Sequence, residues 1–208
     1  MIVGVVEPLP GAAVTALYEA ITGRYQVMVV LGAGLGLREG EAFGLTVRRV
    51  DFLRLRVHVL EQAQGGRPAP LKTEASRRMI PADDWVLSAV TAHLQRYGAG
   101  PGGVIVTNAA GRIAQRNAFG WCWREAVKAA GLPAGTRYHD LRHFYASALI
   151  AANLNPKVIQ ARLGHASITE TMDTYGHLFP DSEDLGRGAV ETALGDALTE
   201  QERNRGTR

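Results

Sequence analysis

Between positions 139 and 143 the chain places two histidines and an arginine, His139, Arg142 and His143. On a helix, positions i, i+3 and i+4 share one face, so His139 can point with Arg142 or with His143. The two pairings imply different chemistry. Paired histidines suit a metal ion. A histidine beside an arginine suits a phosphate, because the guanidinium fork matches two nonbridging oxygens while the imidazole donates to the same group or handles its proton.

The metal pattern is incomplete. A zinc-protease helix needs a glutamate directly after its first histidine as general base, but Asp140 stands there, and no third ligand is close in sequence. A second lead, "VVLGAGLGLR", looks like a strand running into a dinucleotide loop. The third glycine of that fingerprint would fall at position 37, which is leucine. Small residues that let helices pack closely are the better explanation.

The segments that carry these residues read as mostly helical. "AAVTALYEAI" after Pro10 and Gly11 forms an amphipathic helix, a second apolar stretch runs from Tyr25 to Leu31, and "LREGEAFGL" continues as a short helix carrying Arg38 and Glu41. The period then changes. "DFLRLRVHVLEQ" alternates as one strand, "AQGGRPAP" reads as a turn, and "SRRMIP" reads as another strand, so Lys72 lies in or beside a hairpin. Asp83 can cap a helix through "DDWVLSAVTAHLQRYG", and "QRNAFGWCWREAVKAAG" stops at Gly131. In "YHDLRHFYASALIAAN" the expected core stripe is Leu141, Tyr145, Ala148 and Leu149; "NPKVIQARLGH" and "SITETMDTYGHLFP" follow as shorter helices, and a terminal helix is expected around 183–198. The expected fold class is α+β, mostly helical, with a small antiparallel sheet.

Composition sets outer limits. A chain of 208 residues with 46% hydrophobic and 21% charged residues is that of an ordinary globular protein. One cysteine excludes an internal disulfide framework and suits the reducing cytoplasm; Cys122, in "WCW", reads as a small buried hydrophobe. The N-terminus lacks the basic region of a signal peptide, and the longest apolar run is too short and glycine-rich for a membrane span, so no membrane partner is expected. The net charge is only +3, yet residues 48–78 carry eight Lys and Arg against three acids, and residues 137–165 carry four against one. Such concentration of positive charge suits a polyanion.

"HDLR" alone is weak evidence for a phosphate site. Downstream, "RLGHASITETMDTYGHL" places His165 after a glycine and Tyr175 ten residues later. With these residues the chain resembles the catalytic domain of the tyrosine recombinases, the phage-integrase family, in order from about Tyr25 to Leu178. Arg38 looks like the family's first catalytic arginine, with Glu41 the acidic residue that supports it. Lys72 in "LKTEASRRMIP" resembles the hairpin lysine, His139 and Arg142 the His-x-x-Arg box, His165 the Leu-Gly-His box, and Tyr175 the nucleophile. His143 and His177 are left as structural or peripheral.

The resemblance implies a DNA strand transferase with the tyrosine-recombinase catalytic-domain fold, needing no cofactor and no metal. Its partners would be double-stranded DNA and further copies of itself, a tetramer on DNA in the full-length protein, in a bacterial or phage-encoded cytoplasmic setting. Protomers would exchange C-terminal segments, here residues 181–200. Family members usually carry a core-binding domain ahead of the catalytic one. With about twenty-four residues before the matched region, the expectation is a single catalytic domain over 1–200 without that domain, followed by a frayed tail over 201–208. A type IB topoisomerase, a catalytically silent DNA-binding module and a metallohydrolase remain as rival readings.

Overall fold

The computed structural model describes residues 6–180, 190 and 192–195. The chain divides into a compact unit, residues 1–178, and a second, residues 179–208. In the second unit residue 190 and residues 192–195 are helical. Most of the expected terminal helix (183–198), most of the exchange segment (181–200) and all of the tail (201–208) lie outside the described residues.

The first unit is built from helices α1 (Gly11–Ala20), α2 (Gln26–Leu35), α3 (Glu39–Gly44), α4 (Asp84–Tyr97), α5 (Arg116–Ala129), α6 (His139–Ala151), α7 (Pro156–Leu163) and α8 (Ile168–Tyr175). Between α3 and α4 come strands β1 (Val50–Asp51), β2 (Arg56–Val59), β3 (Gln62–Gln64), β4 (Arg67–Ala69) and β5 (Arg78–Pro81). They pair antiparallel as two small sheets, β1-β2-β5 and β3-β4. The fold class is therefore as expected from the sequence. No helix among the described residues is long and apolar enough to cross a membrane.

Helix α2 is the centre of the core, packed against α1, α4 and α6. Val27 to Ala33 and Leu35 are all buried, so the helix is apolar on every side, as a helix with no solvent face must be. Its glycines are the contact points. A Cβ on Gly32 would sit 2.8 Å from Leu141 Cδ1, and one on Gly34 would sit 2.6 Å from Val86 Cγ2. "GAGLG" thus serves close helix packing, not a nucleotide. An aromatic cluster of Tyr25, Phe43, Phe119, Trp123 and Tyr138, in mostly edge-on contacts, ties α5 to α3 and to the entry of α6.

Four local expectations differ from the structure. The stretch 51–62 is not one strand: Leu55 takes a left-handed conformation (φ 52°) and turns the chain between β1 and β2, and β3 leaves to pair separately. "AQGGRPAP" is not only a turn but the β3–β4 hairpin, with Gly65 and Gly66 at φ 59° and 74° forming its two-residue tip. The core face of α6 holds Leu141, Arg142, Tyr145, Ala146 and Ile150, whereas Ala148 is exposed and Leu149 half-buried. The helix is rotated from its purely apolar stripe because Arg142 finds hydrogen-bond partners inside. Cys122 is half-buried rather than buried, lining a groove on α5 with Trp121.

Candidate active site

Six segments converge on one locus, and glycine-terminated helices explain how. Helix α2 ends at Gly36 (φ 61°), whose N–H turns back to Gly32 O, while the Leu37 N–H bonds Leu31 O. Helix α7 ends the same way at Gly164 (φ 66°), with the N–H groups of Gly164 and His165 both returning to Gln160 O. The left-handed turns stop each helix within one residue. They leave the last carbonyls free of intrahelical partners, at the end where the backbone is electronegative.

Three arginines take up these carbonyls. At the end of α7, Arg78 Nε donates to Arg162 O (2.7 Å), Arg142 Nη2 to Leu163 O (2.6 Å) and Arg38 Nη2 to Gly164 O (3.4 Å). Arg142 Nη1 also donates to Gly36 O at the end of α2 (2.8 Å), so two helix C-termini fix its guanidinium. At 1% exposure Arg142 is the most buried of the three, and burial followed by the neighbouring Arg38 and Arg78 charges pulls its pKa down.

Glu41 compensates this charge. Arg78 meets it in a two-point ion pair (Nη1 to Oε1 3.0 Å, Nη2 to Oε2 2.8 Å), and Arg38 Nη1 donates to Oε1 (3.1 Å). Glu41 Oε2 also accepts the Arg38 N–H (2.9 Å), an acidic first-turn residue closing back on the start of α3. Burial alone would raise the Glu41 pKa, but the Arg78 and Arg38 contacts reverse this and hold it below the ordinary value. Arg78 was not singled out in the sequence. The available signal was its place in phase with Ile80 on an alternating strand, where a charge must be buried.

His165 and Tyr175 complete the locus. The rings of His165 and Tyr175 lie parallel, with centroids 6.4 Å apart and 7° between planes. His165 Nδ1 bonds the Thr171 hydroxyl (2.9 Å) and Nε2 lies 3.6 Å from Glu170 Oε1. Burial, then Arg142 and Arg38, pushes its pKa down to about 3, so the ring is neutral near pH 7. Tyr175 is 1% exposed, and burial raises its phenol to about 12 against the pull of Arg142 and Arg38.

The hydrogen-bond partner of Tyr175 is His143, whose Nδ1 is 2.9 Å from Oη. Of the two expectations for His143, structural or peripheral, the second does not hold: the buried face of α6 that carries Arg142 inward brings His143 against α8. His139, one turn earlier, touches the His143 ring edge-on with centroids 4.7 Å apart, and its own pKa falls to about 4, first through burial and then through His143 and Arg142. Among the described residues no group of three or more His, Cys, Asp or Glu side chains is placed to hold a metal ion. His177 is more remote, bonding Val6 O (2.9 Å).

Lys72 is exposed on the segment between β4 and β5, beside the hairpin. It lines a cleft of about 1030 Å³ together with Arg38, His139, Arg116, Arg124 and Arg137. It also borders a smaller recess shared with Glu41, Gly164 and Glu170. Of the six sequence candidates, then, Arg38, Arg142, His165 and Tyr175 are tied directly to one another or to the α7 terminus, His139 reaches them through His143, and Lys72 shares a cleft with Arg38 and His139.

The family model described as the phage integrase family matches residues 9–181. The chain belongs to the phage integrase family. Among curated relatives in this family, the tyrosine recombinase XerD of Mycobacterium tuberculosis is 28% identical over 158 residues, covering 73% of this chain and 47% of its own. XerC of Ralstonia pickettii is 30% identical over 183 residues, with coverages of 81% and 52%. The chain thus spans about half the length of the curated relatives it matches.

Solved structures of the family share the fold. The integrase of transposon Tn1549, in complex with circular-intermediate DNA, superposes with a TM-score of 0.72 at 26% identity, covering 90% of this chain and 67% of that one. The catalytic domain of bacteriophage HP1 integrase superposes with a TM-score of 0.60 at 22% identity, covering 91% and 96%. The phage-integrase fold seen here is therefore that of a tyrosine-recombinase catalytic domain.

Proposed function

We propose that this chain is the catalytic domain of a tyrosine recombinase, a site-specific DNA strand transferase that cleaves and rejoins double-stranded DNA through a 3′-phosphotyrosyl intermediate at Tyr175, without a metal. The observation that carries this reading is the gathering of Arg38, Arg142, His165 and Tyr175 around the end of α7. Two guanidiniums beside a phenol are suited to a phosphodiester. They neutralise charge growing on the nonbridging oxygens, a role otherwise filled by a metal ion.

In this reading Arg38 and Arg142 clamp the scissile phosphate. Among the described residues, Gly36 O and Leu163 O take two of the five N–H donors of Arg142. His165, neutral, donates a further hydrogen bond, His139 assists proton removal from Tyr175 or orients the phosphate, and Lys72 protonates the departing 5′-oxygen. Glu41 holds Arg38 in place. One phosphoric ester is exchanged for another of similar energy, so no nucleotide cofactor is consumed.

The basic cleft bearing Lys72, Arg116, Arg124 and Arg137 would follow the DNA backbone. Residues 1–200 would act as one catalytic domain, of which the compact unit 1–178 holds every candidate residue. The full-length protein, bacterial or phage-encoded, would act as a tetramer on DNA in the cytoplasm.

The test is covalent trapping. The protein and a Tyr175→Phe variant are incubated in EDTA with a nicked suicide DNA carrying a candidate attachment site, and an SDS-resistant complex is sought. An adduct from the parent alone supports the reading. Equal adducts from both proteins, or none from a parent that binds the DNA, overturn it.

A further inference from the structure

The proton on Tyr175 needs a destination, and His139, the histidine given that role above, contacts the His143 ring while it is His143 that bonds Tyr175 Oη. A phenol whose pKa is near 12 is almost wholly protonated at neutral pH, so attack must be coupled to proton removal. His165 stacks on the Tyr175 ring with its Nδ1 engaged by Thr171, and His139 meets the ring of His143 edge-on. Among the described residues, the ring nitrogen bonded to Tyr175 Oη belongs to His143.

We propose that His143 Nδ1 is the first acceptor of the Tyr175 phenolic proton in strand cleavage and the donor that returns it in rejoining. This rests on the reading of Tyr175 as nucleophile. The geometry suits such a transfer, since a 2.9 Å contact is a formed hydrogen bond, and it joins residues 32 positions apart, which two separate helices must hold in register. This role requires the tautomer that carries its proton on Nε2 and accepts at Nδ1.

Among the described residues, the charged and titratable groups facing His143 are His139, Asp140 and Arg142 on α6 and Tyr175 on α8. Burial lowers the His143 pKa, Arg142 adds to this and Asp140 opposes it, so the ring is neutral at pH 7, the state an acceptor requires. Arrival of the anionic phosphate then favours the imidazolium.

The balance closes without any further reactant. In cleavage the Oη–H proton passes to Nδ1 as the Oη–P bond forms; the P–O5′ bond breaks, and the 5′-oxygen takes a proton from Lys72. His143 is left as imidazolium and Lys72 as free amine. In rejoining the 5′-hydroxyl returns its proton to Lys72 as it attacks phosphorus, and departing Oη recovers its proton from His143.

Two substrates separate this role from that of Lys72: an ordinary suicide DNA, and the same DNA with sulfur as the bridging 5′ atom, which leaves as a thiolate and needs no proton. In single-turnover cleavage His143→Asn, which keeps a polar group near Nδ1 but no basic nitrogen, is expected to be about 100-fold slower on both. Lys72→Ala should be slow on the oxygen substrate and recover on the sulfur one. His143→Gln repeats the test should the asparagine variant fail to fold, and a gel shift checks DNA binding. Wild-type or faster rates in both folded variants overturn the proposal, as does rescue of His143→Asn by sulfur, which would move its role to the leaving group. If the parent forms no adduct at all, the nucleophile reading itself fails, and that outcome is distinct from a parent that reacts while His143 proves dispensable.

Discussion

Arg78 and Glu41 form a buried two-point ion pair, 2.8 and 3.0 Å, that joins β5 to α3 while Arg78 also grips the end of α7. Their side chains are 4% and 2% exposed, so neither can fall back on water when its partner is removed. Arg78→Ala is expected to cost about 3–5 kcal/mol of unfolding free energy, read from urea denaturation. Replacing both residues by apolar ones of similar size should cost less, because the two paired charges leave together; the remaining cost is the carboxylate lost to Arg38 and to the buried Arg142.

Acid should unfold the protein through a defined set of groups. Glu41 has a folded pKa below its unfolded value, so its contribution is present above the ordinary carboxylate range and is lost as pH falls through the folded value. His139 and His165 also have depressed values, about 4 and about 3, against an unfolded 6.5. The unfolded chain therefore takes up these protons first, and stability that is complete above pH 6.5 declines steadily towards pH 3. Histidine ring NMR signals would check this: His165 should remain neutral down to about pH 3, and a midpoint near 6.5 would contradict its placement.

Alkali should act through Tyr175. Its folded pKa is raised to about 12 from an ordinary 10, so the contribution is fully present below pH 10 and lost as pH rises towards 12. Burial also raises Tyr25, Tyr138 and Tyr145, so an ultraviolet titration should show several late-ionising phenols in the folded protein and one fewer in Tyr175→Phe.

Lys72→Ala should separate activity from stability. The side chain is exposed and lines an open cleft, so the urea midpoint should be unchanged. Cleavage should fall by about 10²–10⁴-fold on the loss of a general acid.

Gly36→Ala should damage both. A Cβ there would lie 2.5 Å from the Tyr145 ring, on a backbone at φ 61° that disfavours any side chain. The expected loss is about 2–4 kcal/mol in urea denaturation, combining left-handed strain with overpacking. The carbonyl that holds Arg142 moves with it, so adduct formation should drop further than stability alone explains.

Much of the helical framework was legible because its signals are local. Gly164 and Asn155 bracket α7 at the places their conformational preferences dictate, and Asn155 Oδ1 does accept the Lys157 N–H. Asp83 shows the limit: it stands at the N-cap of α4, yet its side chain makes no cap bond there. The strands were harder. Leu55 turns left-handed against its own preference, so alternation through 51–62 gave no warning of the break.

Which chemistry-bearing side chains exist, their order along the chain and the period of the helices that carry them can all be read from the residues alone, since these depend on neighbours a few positions away. Which atoms meet is a property of the packed molecule. A helix's own pattern leaves its rotation open by a residue, about 100°, and that step turned Arg142 inward and His143 onto Tyr175. The partners of Arg38, Arg78 and Arg142 include three consecutive backbone carbonyls. Every residue has such a carbonyl, so no residue type announces it, and only packing of distant segments selects the ones left free.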